Sequence, residues 1–248
     1  MSVRGAYVPF LVRPDRALDA FRSLTRTSIT GVNVTMPLKA IAFQAADERS
    51  AEARALGVAN VLYKRGGRLI AHNTDMEGFS APLVARMGEA RLRRTTALVV
   101  GAGGASRAVL GALVRLGVPE IRVTARRDPA ARALADSLSL PSLYAVDWSA
   151  RTAALRGAGL VINATSAGMR GHAPLDLPMG SAEPGALAYD LVYTPRDTPF
   201  LLAARARGLD TLDGLAMLIA QARPAFATFF GERPPDDLDP APVLDGLL

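Results

Sequence analysis

The sequence predicts an α/β protein built around a doubly wound parallel sheet, joined to a second and smaller α/β region. Three observations support this prediction. Thr95–Val100 is a short, largely apolar run of the kind that is buried in a parallel sheet. A glycine-rich turn, Gly101–Gly104, follows it and precedes a helical pattern at Ala108–Leu116. Further on, apolar runs alternate with helical stretches, which is typical of strand–helix–strand units with parallel strands.

The larger region is expected to end with a short strand near Asp210. Two helical segments follow that strand, Gly214–Phe230 and Pro240–Leu247, and we expect them to pack back on the smaller region and complete it. The other strands of the larger region are predicted at Thr95–Val100, Ile121–Thr124, Leu143–Val146, Leu160–Asn163 and Ala186–Val192.

The first 85 residues also alternate between strand-like and helix-like patterns. A helix is expected at Pro14–Leu24, where proline suits the first turn, and another begins after Pro37. Asp47 is predicted to cap a third helix that ends at Leu56. Gly66-Gly67 indicates a hairpin turn. Strands are predicted at Ala6–Val12, Ile29–Val34, Val58–Tyr63 and Arg68–Ala71.

The composition excludes several kinds of site and partner. The chain has no cysteine, which rules out disulfides, thiolate catalysis and sulfur-ligated zinc. His72 and His172 lie far apart and outside any metal-ligand or nucleophile motif, so no metal site is expected. The net charge of +6 comes from dispersed arginines, so no nucleic-acid partner is expected. Without a long apolar run or a signal-peptide pattern, we expect no membrane association and a cytoplasmic location.

The glycine turn has the sequence context of a dinucleotide site. Gly101 would permit the tight turn, and Gly103 would let a pyrophosphate approach the backbone. The helix that follows would offer free amide donors and a partial positive charge at its N-terminus. The alternative is an ordinary glycine-rich turn between a strand and a helix, although the strand before it and the helix after it favour the dinucleotide.

Arg126 and Arg127 indicate which dinucleotide is bound. They follow the strand Ile121–Thr124, where NAD-binding proteins usually carry an acidic residue for the ribose 2′-hydroxyl and arginine accommodates a 2′-phosphate. The neighbouring Asp128 is expected to start the next helix together with Pro129. We therefore predict NADP(H) as the cofactor, the alternative being that both arginines are solvated surface charges.

Two polar segments upstream are candidates for the reacting site. Gly31–Lys39 reads GVNVTMPLK, and His72–Phe79 reads HNTDMEGF. Either segment alone could be a capped turn, since Asn and Thr satisfy loop backbone and Asp75 could cap a helix. Together with a downstream NADP fold they favour an enzyme.

At these residues the chain resembles the shikimate dehydrogenase family. The resemblance covers about Ala6 to Gly231, in the family's order and spacing. It rests on GVNVTMPLK, Gly57–Asn60, HNTDMEGF, the glycine turn, Asn163–Met169, Tyr189–Pro195 and Gly214–Gln221.

The resemblance implies reversible, NADP-dependent reduction of the 3-keto group of dehydroshikimate, a step of aromatic amino-acid biosynthesis. By the same resemblance Lys39 and Asp75 match the catalytic pair. Hydride addition to a ketone builds an alkoxide, which a nearby cationic donor can stabilise and protonate. The alternative is that Lys39 and Asp75 form a surface salt bridge.

The resemblance also implies further binding residues and a division into domains. Residues 1–85 with 214–248 would bind substrate, and residues 86–213 would form the NADP-binding Rossmann domain. Val192 and Met217 would pack on the nicotinamide, although plain core positions are the alternative for both. The substrate contacts implied are Thr35, Asn60, Tyr193 and Gln221, and the cofactor contacts are Gly101, Gly103, Gly104, Ala105, Arg126, Arg127, Asn163, Thr165, Ser166, Val192, Gly214 and Met217.

This chain departs from the family pattern at its start. Family members usually begin with a strand, a Gly-x-Pro loop and a Ser-x-Ser-Pro element that grips the substrate carboxylate, and the chain starts after the segment that would carry them. Either a real N-terminus is omitted or the grip is lost. A lost grip would favour quinate, another hydroxy acid, or a non-catalytic NADP(H)-binding role. The missing strand would leave a sheet edge that a second copy could cover as a homodimer.

Overall fold

The computed structural model describes residues 5–235 and 237–245, which form two compact units. One unit consists of Met1–Met76 and Gln221–Asp239, and the other of Glu77–Ala220 and Pro240–Leu248. The predicted domain boundaries, 85/86 and 213/214, are displaced from these by several residues, and the segment Pro240–Leu248, which we expected to pack on the smaller region, falls in the second unit. The assignment of one ligand to each domain stays a prediction.

The first unit contains a small mixed sheet. Its strand order is β1-β3-β4-β2, with β1 and β4 antiparallel to β3 and with β2 parallel to β4. The predicted hairpin joins β3 to β4 through Gly66 and Gly67, both at positive φ. The strands are Gly31–Asn33 (β1), Glu48–Arg49 (β2), Val61–Arg65 (β3) and Arg68–His72 (β4), and the helices are Ala17–Ser23 (α1), Lys39–Ala45 (α2) and Ala51–Leu56 (α3), with 3₁₀ turns at Pro14–Arg16 and Leu24–Arg26.

The prediction of a strand at Ala6–Val12 is wrong. This segment has no strand partner among the described residues, and Tyr7, Phe10 and Leu11 are exposed. The alternating pattern gives only a local preference, whereas a strand needs a neighbour, and Pro9 lacks an N–H for a ladder.

The prediction that Asp47 caps the third helix is also wrong. Ser50 is the N-cap of α3, and its Oγ accepts a hydrogen bond from Ala53 N at 3.2 Å. Asp47 instead accepts one from Leu69 N at 2.8 Å, next to the short strand β2. Pairing of β2 with β4 therefore delays the helix by three residues.

The last predicted helix, Pro240–Leu247, corresponds to a helix at Ala241–Asp245 in the structure. Residues 246 and 247 lie outside the described residues.

The second unit contains the predicted parallel sheet. Its strands are Thr96–Val100 (β5), Glu120–Thr124 (β6), Leu143–Ala145 (β7), Ala158–Asn163 (β8), Leu187–Asp190 (β9) and Asp210–Leu212 (β10), with 3₁₀ turns at Trp148–Ala150, Ala153–Leu155 and Met179–Ser181. The remaining helices of the chain are Asp75–Met87 (α4), Glu89–Leu92 (α5), Gly104–Arg115 (α6), Asp128–Leu138 (α7), Pro199–Ala206 (α8), Gly214–Phe230 (α9) and Ala241–Asp245 (α10), and the boundaries between the two units cross α4 and α9.

The strand order confirms the doubly wound fold. It is β10-β9-β8-β5-β6-β7 with every pair parallel, so the direction of winding reverses between β5 and β8. Open α/β sheets bind ligands in the crevice at the carboxyl ends of their strands at such a switch point. Among the helices of the described residues, none combines the length and apolar character needed to cross a membrane.

Candidate active site

A buried ion pair joins the first residues of two helices in the first unit. Lys39 begins α2 and Asp75 begins α4, and Lys39 Nζ lies 2.7 Å from Asp75 Oδ2. The two side chains are only 14% and 6% exposed, so the pair is not a solvated surface bridge. Such a pair is weak evidence for stability, because burying both charges costs several kcal/mol. The local geometry explains how the carboxylate is held.

Asp75 is fixed from its own loop by Asn73. The side-chain Oδ1 of Asn73 accepts a hydrogen bond from Asp75 N at 3.0 Å, and its Nδ2 donates to Val58 O at 3.2 Å. This local turn satisfies one of the free amides at the start of α4.

Asn60 connects the carboxylate to the rest of the cluster. Its Nδ2 lies 2.9 Å from Asp75 Oδ1, 2.9 Å from Thr74 Oγ1 and 3.2 Å from Gln221 Oε1. Its Oδ1 accepts from Thr74 N at 2.8 Å, and the residue is buried. An amide nitrogen has two hydrogens, so three acceptors share them. Thr74, which the sequence analysis did not single out, is therefore part of the cluster.

The arrangement leaves one group suited to proton transfer. Both oxygens of Asp75 are used, one by Lys39 and one by Asn60. An ammonium has three donors, and Asp75 takes one of those on Lys39. Lys39 can therefore donate to another oxygen while Asp75 keeps it in place.

The structure does not gather every predicted substrate residue in this cluster. Asn60 and Gln221 contact each other beside Asp75. Thr35 is exposed in the loop between β1 and α2. Tyr193 belongs to the second unit, where it follows β9 and is 40% exposed.

In the second unit, the glycine turn has the geometry that a dinucleotide needs. Gly101 has φ +125°, and a Cβ there would lie 2.9 Å from Ala164 O, so no other residue fits without strain. Gly103 is the N-cap of α6, where a Cβ would meet nothing within 4 Å, and Ser106 Oγ accepts from its N–H. Gly104 and Ala105 begin the helix, whose first amides have no partner within the helix and are suited to bind an anion.

The two predicted phosphate-binding arginines are exposed at the carboxyl end of β6. Neither Arg126 nor Arg127 makes a side-chain hydrogen bond or ion pair within the described part of the chain. Asp128 begins α7 as predicted, and its Oδ1 accepts from Trp148 N at 2.6 Å. The acidic neighbour is thus occupied, whereas both cations can meet an anion.

Loops after β8 and β9 carry the other predicted cofactor residues. Asn163 ends β8, and its Oδ1 accepts from Thr165 N at 3.1 Å and Thr165 Oγ1 at 2.7 Å. Ser166 Oγ lies 3.3 Å from His172 Nδ1. Val192 follows β9 and is buried.

The start of α9 touches the loop after β9 through backbone. A Cβ on Gly214 would lie 2.5 Å from Leu191 O, which explains the glycine, and Gly214 N donates to Val192 O at 3.2 Å. Met217 lies one turn further along α9, half-buried.

Asp190, the last residue of β9, is a buried carboxylate to which the sequence pattern gave no role. It is fully buried and accepts hydrogen bonds from Asn163, Val192 and Thr198. Burial raises the pKa of its carboxyl to about 6. The three hydrogen bonds lower the pKa in part, and the nearby charge of Asp213 raises it slightly. The signal in the sequence was its place in Tyr189–Pro195, one of the stretches that resemble the family.

No metal centre accompanies these groups. Across residues 5–235 and 237–245, no cluster of three or more His, Asp or Glu side chains could hold a metal ion.

Comparison with known proteins agrees with this architecture. Residues 1–62 match the model of the shikimate dehydrogenase substrate binding domain, and residues 83–170 match that of shikimate / quinate 5-dehydrogenase. The NADP(+) shikimate dehydrogenase of Rhodospirillum rubrum is 41% identical over 240 residues, which cover 95% of this chain and 85% of that protein.

Solved structures give the same result. Shikimate 5-dehydrogenase from Thermus thermophilus, in complex with NADP(H) and shikimate, has 36% identity and a TM-score of 0.79, covering 93% of this chain and 82% of that one. Quinate dehydrogenase from Corynebacterium glutamicum, in complex with NAD, has 34% identity and a TM-score of 0.78, covering 88% and 77%. With sequence and structure matched over nearly its whole length, the chain belongs to the shikimate dehydrogenase family.

Proposed function

We propose that this protein is an NADP-dependent shikimate dehydrogenase that interconverts 3-dehydroshikimate and shikimate. The buried Lys39–Asp75 pair, 2.7 Å apart and supported by Asn60, is the observation that carries the proposal. The relatives named shikimate dehydrogenase (NADP(+)) and the solved complex with NADP(H) and shikimate support the same reaction.

The second unit would hold the cofactor. Its pyrophosphate would lie on the glycine turn and the first amides of α6, where the positive φ of Gly101 and the open surface at Gly103 fit a close approach. Arg126 and Arg127 would bind the 2′-phosphate, and Val192, Gly214, Met217 and the loop Asn163–Ser166 would line the nicotinamide end. When bound, NADPH supplies the hydride.

Lys39 would be the proton donor in the direction of reduction. Its ammonium would stabilise the negative charge that develops on the substrate oxygen and then give up a proton to it. In the reverse direction the amine would accept the hydroxyl proton. Asp75 would hold Lys39 in position and balance its charge, and Asn60 would hold Asp75.

The first unit would bind the hydroxy acid. Gln221 and Thr35 would donate to and accept from its hydroxyl groups, together with Asn60. Tyr193, which belongs to the second unit, stays a predicted substrate contact. A ring of neutral partners suits a polyol, because each unpaired buried polar group would cost about 1–3 kcal/mol. Most substrate contacts would thus lie in the first unit, and the cofactor contacts in the second.

Two further proposals concern the protein's surroundings. We place the enzyme in the cytoplasm, which cell fractionation would test. We also propose that the protein forms a homodimer. Among the described residues β1 pairs only with β3 and lies at an edge of the first sheet, which a second copy could cover. A monomeric mass by light scattering would contradict the dimer.

Quinate is the second candidate substrate. The 34% identity and TM-score of 0.78 to a quinate dehydrogenase favour testing it, as does the family model that covers both activities. Quinate and shikimate would use the same Lys39–Asp75 pair.

The test is NADP+ reduction by the purified protein, followed through NADPH absorbance. We expect turnover with shikimate, weaker turnover with quinate, and a preference for NADP+ over NAD+. NADPH binding without turnover of either acid would contradict the enzyme and favour a non-catalytic NADP(H)-binding protein.

A further inference from the structure

We propose that Asp190 is a positioning residue that sets the geometry of the cofactor-lining loops in the second unit. This inference rests on the proposed NADP-dependent function. Asp190 ends β9 at the carboxyl edge of the parallel sheet, where ligands of such sheets bind. Its side chain is fully buried, so it acts through its neighbours.

Three donors from three segments converge on this one carboxylate. Oδ1 accepts from Asn163 Nδ2 at 2.9 Å and from Val192 N at 2.9 Å. Oδ2 accepts from Thr198 Oγ1 at 2.6 Å, and the same hydroxyl caps α8 by accepting from Leu201 N. The carboxylate thus connects the end of β8, the loop after β9 and the start of α8.

Asn163 passes the constraint to the loop that follows β8. Its Nδ2 donates to Ala167 O at 3.1 Å as well as to Asp190. Its Oδ1 accepts from both the backbone and the hydroxyl of Thr165, and Thr165 Oγ1 in turn accepts from Ala167 N at 3.0 Å. The amide orientation of Asn163 therefore depends on Asp190 and fixes Thr165, a proposed cofactor contact.

Val192 passes the constraint to the start of α9. Its N–H bonds Asp190, while its carbonyl accepts from Gly214 N at 3.2 Å. Gly214 approaches this loop so closely that a Cβ would lie 2.5 Å from Leu191 O. A small displacement of Val192 would therefore move Gly214, so that one buried carboxylate supports cofactor residues on two separate loops.

The chemistry of the side chain explains why a polar acceptor is needed here. An apolar replacement would leave three buried donors without an acceptor, each at a cost comparable to a lost hydrogen bond. Asparagine keeps one acceptor oxygen for Asn163 and Val192. The Thr198 hydroxyl can rotate to accept from its new amide.

The experiment compares NADPH affinity, by fluorescence titration, in Asp190→Ala, Asp190→Asn and wild type. We expect the dissociation constant of Asp190→Ala to rise about 10- to 100-fold and that of Asp190→Asn by less than about threefold. The KM for NADP+ should rise in parallel for Asp190→Ala and should stay near the wild-type value for Asp190→Asn.

Leu187→Ala is the matched control. Leu187 is buried on the same strand and belongs to no proposed site, so its truncation destabilises the unit without touching the network. It should lower the melting temperature and keep wild-type NADPH affinity. Asp190→Ala binding NADPH as tightly as Leu187→Ala would overturn the inference.

Two further outcomes are distinguished: failure of Asp190→Ala to fold, and wild-type protein that does not bind NADPH. If Asp190→Ala does not fold, Thr198→Val removes one donor and should weaken NADPH binding about three- to tenfold, and unchanged binding there would overturn the inference. Wild-type protein that binds no NADPH would instead contradict the proposed function.

Discussion

Two buried carboxylates, one in each compact unit, have similar neutral partners and differ in one cation. Asp75 accepts a hydrogen bond at 2.9 Å from the amide of Asn60, and Asp190 accepts one at 2.9 Å from the amide of Asn163. Asp75 also lies 2.7 Å from Lys39 Nζ, whereas neutral groups alone donate to Asp190 within the described residues. The same asparagine-supported carboxylate is thus used twice, once with an ammonium and once without.

The cation separates the roles of the two carboxylates. Lys39 gives the Asp75 cluster a proton that can move to a substrate oxygen. Asp190 has only fixed donors around it, and burial raises the pKa of its carboxyl to about 6. The comparison therefore predicts that changes at the first cluster alter turnover, and that changes at the second alter cofactor binding and stability.

The largest expected effect is that of Lys39→Ala. Removing the proton donor should lower kcat with shikimate about 10³-fold, the middle of the range for general acid–base catalysis. NADPH affinity should stay within about twofold, because the proposed cofactor contacts lie in the other unit. Initial rates and a fluorescence titration on the same preparation measure both.

The chain provides a matched control for this variant. It has two lysines, and the second, Lys64, is half-exposed on β3 and donates to Thr27 O. Lys64→Ala should keep wild-type kcat. Equal losses of kcat in both variants would contradict the role of Lys39 as the proton donor.

The free energy of unfolding should depend on pH through the ionisation of Asp190. Its carboxyl has a pKa of about 6 in the folded protein against 3.8 as the ordinary value, so between these pH values the folded state holds a proton that the unfolded state lacks. The free energy of unfolding contributed by this group is therefore greatest below pH 4 and falls as pH rises through 6. Asp190→Asn should remove that decline, worth up to about 3 kcal/mol.

Urea unfolding of both proteins at pH 4, 5, 6 and 7 measures the difference directly. Relative to wild type, Asp190→Asn should become more stable as pH rises. Asp136→Asn is the control for loss of one carboxylate, since Asp136 is exposed on α7. Parallel behaviour of the two variants would mean that Asp190 does not titrate in this range.

The smallest effect is expected at the exposed arginines. Replacing Arg126 and Arg127 together by alanine should raise the KM for NADP+ about tenfold, a modest effect because solvent and salt weaken exposed phosphate contacts. The KM for NAD+ should not change, because NAD+ has no 2′-phosphate. Arg94→Ala is the control, since Arg94 is exposed before β5, at the opposite ends of the strands. Equal changes for both cofactors would exclude a 2′-phosphate site.

The sequence was most informative where structure depends on burial by near neighbours. Apolar runs such as Thr95–Val100 and Leu160–Asn163 are buried on both faces, and the structure confirms them as strands within two residues. Ala6–Val12 has a similar local pattern and no strand partner among the described residues. A pattern states what a segment can form, whereas pairing depends on distant residues.

The candidate site was less accessible to residue patterns alone. Lys39 and Asp75 are 36 positions apart, and only the family resemblance joined them before the structure gave their distance. Asp190 lies inside the predicted strand Ala186–Val192 and drew no role, because neither the burial of a carboxylate nor its three donors can be read from local sequence. Thr74 was missed for the same reason, since its role depends on Asn60 and Gln221.

The most direct test makes the same isosteric change at both carboxylates. Asp75→Asn and Asp190→Asn are compared by kcat with shikimate and NADP+ both saturating. We predict that kcat falls about 10²-fold in Asp75→Asn, because Lys39 loses its counter-charge. For Asp190→Asn we predict a kcat within about threefold of wild type. Equal losses at the two positions, or a wild-type rate for Asp75→Asn, would contradict the assignment of chemistry to the Lys39–Asp75 cluster.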